Sequence, residues 1–227
     1  MSNYNIAIDG PAGAGKSTIA KSIAAKLGFI YVDTGAMYRA MALYFLKMGI
    51  DTNDQKAIEE ACKDVNVTIE YKNKEQIVLL NGENVNGFIR TEEVGNMASA
   101  SSVYKTVRLK LVELQRELAK NENVIMDGRE IGTFVLPNAN LKIYLTASSR
   151  ERARRRWAEL KDRGIDADLD EIEQDIITRD NRDMNREFAP LKKADDAILV
   201  DSSNLTVDQV IDTIIKYYNM NINNNKE

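Results

Sequence analysis

The stretch "IAIDGPAGAGKST" (6–18) constrains this chain more than any other. A short apolar run, residues 4–9, leads into glycines, alanines and a proline, and a lysine and two hydroxyls follow. Residues 10–17, "GPAGAGKS", fit G-x-x-x-x-G-K-[ST] in full, with a strand before and a helix after as that pattern requires. Glycines let successive backbone N–H groups converge on phosphate oxygens without a Cβ in the way. A helix starting at Lys16 aims its positive dipole end at the same point. Lys16 can then reach terminal phosphates and Ser17 can ligate Mg²⁺, with Thr18 beside them. The ATP-binding set expected from the loop is Gly10, Pro11, Ala12, Gly13, Ala14, Gly15, Lys16, Ser17 and Thr18.

The text after the loop predicts an α/β protein. Apolar residues at Ile19, Ala20, Ile23, Ala24 and Leu27 repeat at helical spacing up to Gly28, "FIYVD" (29–33) reads as a buried strand, and 36–49 as a second helix. Strand–helix alternation implies a parallel sheet with right-handed crossovers. The pattern then changes. "VNVTIEY" (65–71) and "EQIVLLNGENV" (75–85) alternate and are joined by the polar "KNK", so 64–90 reads as a small inserted β-rich subdomain. Helical text returns at 91–120, core strands at 123–127, 141–145 and 197–201, and helices at about 149–162, 168–186 and 206–218. The expected division is a core of 1–63 and 91–218, with a lid at 149–186 and a frayed, asparagine-rich tail at 219–227.

Bulk properties exclude several classes. A chain of 227 residues fits one sizeable domain, and a net charge of -4 argues against a general nucleic-acid-binding surface. The single cysteine, Cys62, allows no internal disulfide. The start carries no signal-peptide pattern, and no run approaches the ~20 apolar residues of a membrane span. The expectation is a cytoplasmic monomer without a membrane or nucleic-acid partner.

Which nucleotide chemistry follows depends on other motifs. The only Asn-Lys pair, in "NKEQ" (73–76), lacks the aspartate of a guanine-reading motif. "DTGAMYR" (33–39) and "DGREIGT" (127–133) both leave the carboxyl ends of predicted strands, where open α/β sheets bind ligands. That places Asp33, Thr34 and Arg39 near a ligand and makes Asp127 a candidate to hold Mg²⁺ directly or through water. Each has a plainer alternative: Asp33 as a helix cap, Arg39 on a solvated face, Asp127 as a turn former. In "TRDNRDMNR", Arg179, Arg182, Asp183 and Arg186 fall on one helical stripe, and Arg152, Arg155 and Arg156 form another. Clustered arginines suit a phosphate. Two arginine-bearing helices joined around Gly164 read as a lid that neutralises charge and excludes water during phosphoryl transfer. Arg155 is expected to face ATP.

"IDGPAGAGKST", "DTGAMYR", "DGREIGT" and "RDNRDMNREFAPL", in that order and with the β-rich insert, resemble the bacterial cytidylate kinases over residues 4–218. The resemblance implies a P-loop nucleoside monophosphate kinase: a three-layer fold with a parallel sheet, an acceptor-side insert and an arginine-rich lid. It implies transfer of the ATP γ-phosphate to CMP or dCMP with Mg²⁺. Lys16, Asp127, Arg129, Arg179 and Arg186 would stabilise the transferring group. Thr34, Arg39, Arg129 and Arg186 would meet the acceptor phosphate, Ser99, Arg108 and Glu130 the cytosine, and Arg179 and Asp183 the ribose. A carboxylate at 130 can accept from the exocyclic amine that distinguishes cytosine from uracil. The family often has Ser where Thr34 stands and Asp where Glu130 stands. Read without the resemblance, Ser99 and Arg108 are equally exposed helix residues, and the chain equally a kinase for another small acceptor or a nucleotide-gated binding protein.

Overall fold

The computed structural model describes residues 3–73 and 75–224. Strand β1 (Asn5–Asp9) runs into the glycine loop and helix α1 (Lys16–Leu27), and β2 (Ile30–Asp33) runs directly into α2 (Thr34–Lys47). Then come α3 (Gln55–Asp64), β3 (Val67–Lys72), β4 (Glu75–Leu80), β5 (Glu83–Asn84), α4 (Glu92–Ser101) and α5 (Lys105–Asn121). The chain continues through β6 (Val124–Gly128), a π-helical turn (Ile131–Val135), β7 (Leu141–Thr146), α6 (Ser149–Asp162), α7 (Leu169–Asn185), β8 (Ile198–Asp201) and α8 (Val207–Asn224).

Five strands pair in the order β2-β6-β1-β7-β8, all parallel. Their near-continuous apolar runs follow from helices covering both faces. Ile6, Ile8, Ile125 and Ile143 point to α1 and α8, while Ala7, Val32, Val124 and Met126 point to α5 and the π turn. The parallel sheet expected from the strand–helix alternation and the three-layer fold implied by the resemblance are therefore both present. Gly28 stops α1 in the left-handed conformation, φ 71°.

A second, antiparallel sheet has the order β3-β4-β5. Asn73 and Asn81 take positive φ in its turns, which asparagine tolerates better than most residues. Lys74 lies outside the described residues. The inner face of this sheet, Val67, Val78 and Leu80, shares one apolar cluster with Met37, Met41 and Phe45 of α2. Full burial is worth about 1.5–3 kcal/mol for each of those three side chains. The exposed Lys21–Glu75 pair that also bridges to this sheet, at 3.8 Å, contributes at most about 1 kcal/mol. Packing on α2 holds the small sheet.

Two features depart from the sequence reading. Helix α3 falls almost wholly in residues 50–63, to which the sequence reading assigned no element: Asp54 caps it by accepting from the Ala57 N–H, and Ile58 and Cys62 are its buried contacts. Residues 219–224, read as frayed, continue α8 to Asn224. They are tied down because Asn221 accepts from the Tyr4 hydroxyl at 2.8 Å and donates to the Asn140 carbonyl. Residues 225–227 lie outside the described chain.

Candidate active site

The carboxyl ends of β1, β2 and β6 open into a cleft of about 750 Å³. The glycine loop forms one end. Gly10 admits no side chain, because a Cβ there would lie 1.9 Å from the Leu145 carbonyl oxygen of β7. Gly15 caps α1 in the left-handed conformation without a side-chain hydrogen bond. The first amides of α1 are left for an anion. Ala12 to Thr18 line the cleft, and Gly10 and Pro11, the first two loop residues, are not among its lining residues. Lys16 Nζ donates to the Pro11 carbonyl at 2.7 Å. Burial, and then the nearby Arg129 guanidinium, lower the Lys16 pKa to about 7.

Ser17 and Asp127, which are 110 residues apart, meet here: Ser17 Oγ donates to Asp127 Oδ2 at 2.9 Å, and the Tyr31 hydroxyl donates to Oδ1 at 3.0 Å. Burial, then the Asp33 carboxylate, raise Asp127 to about 6. The Thr34 hydroxyl donates to the Asp127 backbone carbonyl at 2.6 Å, locking α2 to β6.

At the far end, Glu130 is 3% exposed and Arg108 is 2% exposed. Glu130 Oε1 accepts from Arg108 Nη1 and the Tyr38 hydroxyl, and Oε2 accepts from Arg186 Nη2 at 2.9 Å. Asp183 accepts from Arg129 Nε at 2.8 Å and Arg186 Nη1 at 3.3 Å. Burial alone would raise Asp183, but Arg129 and Arg186 outweigh it and hold the carboxyl below its ordinary range. Arg108 Nε and Arg39 Nε are buried with no partner. A buried donor without an acceptor costs about 1–3 kcal/mol, so these point to a ligand that satisfies them.

Every acceptor-side residue named from the resemblance lines this single cleft: Thr34, Arg39, Ser99, Arg108, Arg129, Glu130, Arg179, Asp183 and Arg186. Arg155 lines it at the loop end, where its guanidinium donates to the Ser202 carbonyl. Arg179 reaches Asn96 Oδ1 at 3.3 Å, which links α7 to α4.

The arginine stripes are less uniform than their spacing suggests. Arg152 is no free anion binder: it pairs with Asp180 at 2.7 Å and donates to the carbonyls of Ala12 and Ala147. It braces the glycine loop against α6 and α7. Arg182 is exposed, meets Ser99 Oγ and stays outside the cleft lining. Arg186 stands just past the end of α7, in extended conformation. The repulsion among Arg129, Arg186 and Arg108 is relieved by Asp183, from the same stripe, and by Glu130, which that stripe does not contain.

Sequence reasoning passed over four further contributors. Asp9 caps the turn after Glu130 by accepting from the Ile131 and Gly132 amides at 2.8 and 2.7 Å. Burial is the main cause that lifts its carboxyl to about 6. Tyr31 and Tyr38 lay inside quoted motifs, but only the structure shows which carboxylates their hydroxyls meet. Leu205, Val207 and Val210 form an apolar wall beside the glycine loop. Among the described residues no group of three or more His, Cys, Asp or Glu side chains is placed to hold a metal ion, and no helix is long and apolar enough to cross a membrane.

The family model described as cytidylate kinase matches residues 6–220. The chain is 50% identical to a cytidylate kinase of Caldicellulosiruptor bescii over 218 residues, 96% of either chain. It is 51% identical to one from Alkaliphilus oremlandii over 215 residues, 95% of this chain and 97% of the relative. A solved structure of an uncharacterised protein from Eubacterium ventriosum shares the fold alone, with a TM-score of 0.53 at 15% identity, covering 95% of this chain and 98% of that one. The loop, the paired carboxylates and the buried arginines thus sit in a chain that belongs to the cytidylate kinase family.

Proposed function

We propose that this chain transfers the γ-phosphoryl group of ATP to CMP and dCMP, giving ADP and CDP or dCDP. One observation carries the reading: a single cleft has the phosphate-cradling loop at one end and a buried carboxylate–arginine pair at the other, with arginines between. The loop amides and Lys16 hold the donor phosphates, and Lys16 exchanges the Pro11 carbonyl for phosphate oxygen when ATP enters. Glu130 accepts from the cytosine amine, Arg108 donates to the base's acceptor edge, and Ser99 borders the same pocket. Asp183 and Arg179 face the ribose. Arg39, Arg129 and Arg186 hold the acceptor phosphate in line with the donor, and Thr34 joins them by turning its hydroxyl from the Asp127 carbonyl to the phosphate. Arg129 and Arg186, with Arg179 and Arg155, balance charge as the phosphoryl group moves.

The Ser17–Asp127 pair fits Mg²⁺, which takes one or two protein oxygens and completes its shell with substrate phosphate and water. When bound, the ion would neutralise phosphate charge; a cation beside Asp127 would also favour its ionised form. The reading is of a cytoplasmic monomer whose partners are ATP and CMP or dCMP, with no nucleic-acid polymer or membrane.

The test is ADP release from Mg-ATP with CMP, dCMP, UMP, AMP or GMP as sole acceptor, beside a control with none. Fast release restricted to CMP and dCMP is expected. Equal release without acceptor would leave ATP binding standing and refute the acceptor assignment.

A further inference from the structure

Tyr31 reaches the Ser17–Asp127 corner from outside the cleft. It lies on β2 as the register partner of Ile125, and Asp127 stands two residues further along β6 on the same face. Its ring packs in the apolar cluster under α1 and lines a second cavity, of about 560 Å³, between α1 and the small sheet. The ring alone would serve that packing, since Phe29 packs in the same cluster without a hydroxyl. The hydroxyl instead donates to Asp127 Oδ1 at 3.0 Å, while Ser17 Oγ donates to Oδ2 at 2.9 Å.

A carboxylate turns easily about its last torsion, which has no sharp staggered wells. One donor on each oxygen stops that rotation. Of these two donors among the described residues, Ser17 belongs to the pair that fits Mg²⁺ and Tyr31 does not. Tyr31 is also absent from the lining of the cleft, so whatever its hydroxyl contributes to the reaction passes through Asp127.

The backbone of Tyr31 is held in turn. β2 is the outermost strand of the parallel sheet, with an edge that no strand of that sheet pairs. Tyr71 and Gln76, cross-strand partners on β3 and β4, close that edge. The Tyr71 hydroxyl donates to the Tyr31 carbonyl at 3.2 Å. Gln76 Oε1 accepts from the Asp33 N–H at 2.8 Å, and its Nε2 donates to the Asp33 carbonyl at 3.1 Å. The strand is thereby fixed on both sides, by β6 and by the small sheet.

We propose that Tyr31 is a positioning residue for the divalent cation: its hydroxyl pins the Asp127 carboxylate so that the other oxygen stays turned toward Ser17. The inference rests on the Mg²⁺ reading of the Ser17–Asp127 pair and deepens it by giving that pair an outer partner. Outer partners of this kind are worth about 10- to 100-fold in metal affinity.

The test compares the wild type with Tyr31→Phe and Ser17→Ala, each with ATP and without acceptor. Mn²⁺ stands in for Mg²⁺, since both take oxygen ligands in octahedral geometry. The paramagnetic resonance signal of free Mn²⁺ reports how tightly the ATP complex holds the ion, and calorimetry of ATP binding in EDTA is the metal-free control. Tyr31→Phe, which keeps the ring, is expected to weaken Mn²⁺ binding about 10-fold and to leave metal-free ATP affinity near wild type. Ser17→Ala weakens Mn²⁺ binding at least as much. Unchanged Mn²⁺ affinity in Tyr31→Phe overturns the proposal. An equal loss of metal-free ATP binding overturns it too, because the hydroxyl would then support the glycine loop as a whole. If Ser17→Ala holds Mn²⁺ as well as the wild type does, the cation reading of this corner fails and the proposal falls with it. If Tyr31→Phe loses the ion as expected and the wild type phosphorylates no acceptor, the kinase reading fails while the assignment of Tyr31 stands.

Discussion

Replacing Glu130 with Gln tests the base-reading end of the cleft most directly. The substitution keeps the shape and removes the charge that Arg108 and Arg186 share. Breaking a buried ion pair from one side costs about 3–5 kcal/mol. The lower end applies, because Asp183 still holds Arg186 and an amide oxygen can still accept from Arg108 or Tyr38. For a chain of this length, about 3 kcal/mol lowers the melting midpoint by about 6–12 °C. The amide also offers an N–H where the carboxylate only accepts. It should therefore oppose the cytosine amine and welcome the uracil oxygen, at about 1–3 kcal/mol per mismatched contact. Taking about 2 kcal/mol, the CMP-to-UMP ratio of kcat/KM falls about 30-fold. KM for ATP stays near wild type, since the glycine loop is at the opposite end. Coupled ADP release with each acceptor and a thermal scan measure both effects. A lowered midpoint with an unchanged CMP-to-UMP ratio would refute base reading by Glu130 and leave it a structural anchor. An unchanged midpoint would refute the energetic weight of the buried network.

Three further outcomes are expected. Arg129→Ala lowers kcat by about 10³-fold or more, while circular dichroism reports an intact fold, because Arg186 still neutralises Asp183. The folded-state pKa of Asp127 is raised, so its favourable contribution is complete below its ordinary value of 3.8 and is lost as pH rises through about 6. Nucleotide-free Asp127→Asn should therefore melt higher than wild type at pH 7, by at most about 3 kcal/mol of stability, while turnover collapses. Lys16 is lowered to about 7, so ATP binding at pH 8 should take up about one proton and binding at pH 6 almost none. Calorimetry in buffers of different ionisation enthalpy reads this, and Lys16→Met should abolish it.

What the sequence disclosed followed the strength of local pattern. The glycine loop and α1 were legible because their residues serve the backbone directly: Gly10, Gly13 and Gly15 take conformations that few other residues adopt. The small sheet was legible through alternation. Helix α3 went unread although Ala57, Ile58, Ala61 and Cys62 recur at helical spacing. The acceptor side was reached through resemblance. Its chemistry depends on pairs such as Arg108–Glu130 and Arg129–Asp183, which tertiary packing alone brings together. The Arg152 stripe misled for the same reason: its carboxylate, Asp180, sits on α7, out of reach of any spacing rule within α6. Asp9 was hidden because an aspartate at a strand end has many ordinary roles.

Asp9 carries a consequence for how such an enzyme can change. Asp9 and Gly128 are register partners on adjacent strands, about 4.8 Å apart as sheet neighbours are. The donor loop leaves one of these strands and the acceptor-reading pair Arg129–Glu130 leaves the other, with the Asp9 carboxylate riveting the second exit to the first. The axis between the two substrates is thus inherited from one rung of the sheet. Tyr38, Ser99, Arg108 and Glu130, to which the proposed function gives or adjoins the reading of the base, line the cleft around that axis. A change at the base-facing end can therefore leave that axis in place only if it also keeps Arg186 and Asp183 paired, because Glu130 is bonded to Arg186 and Arg186 to Asp183.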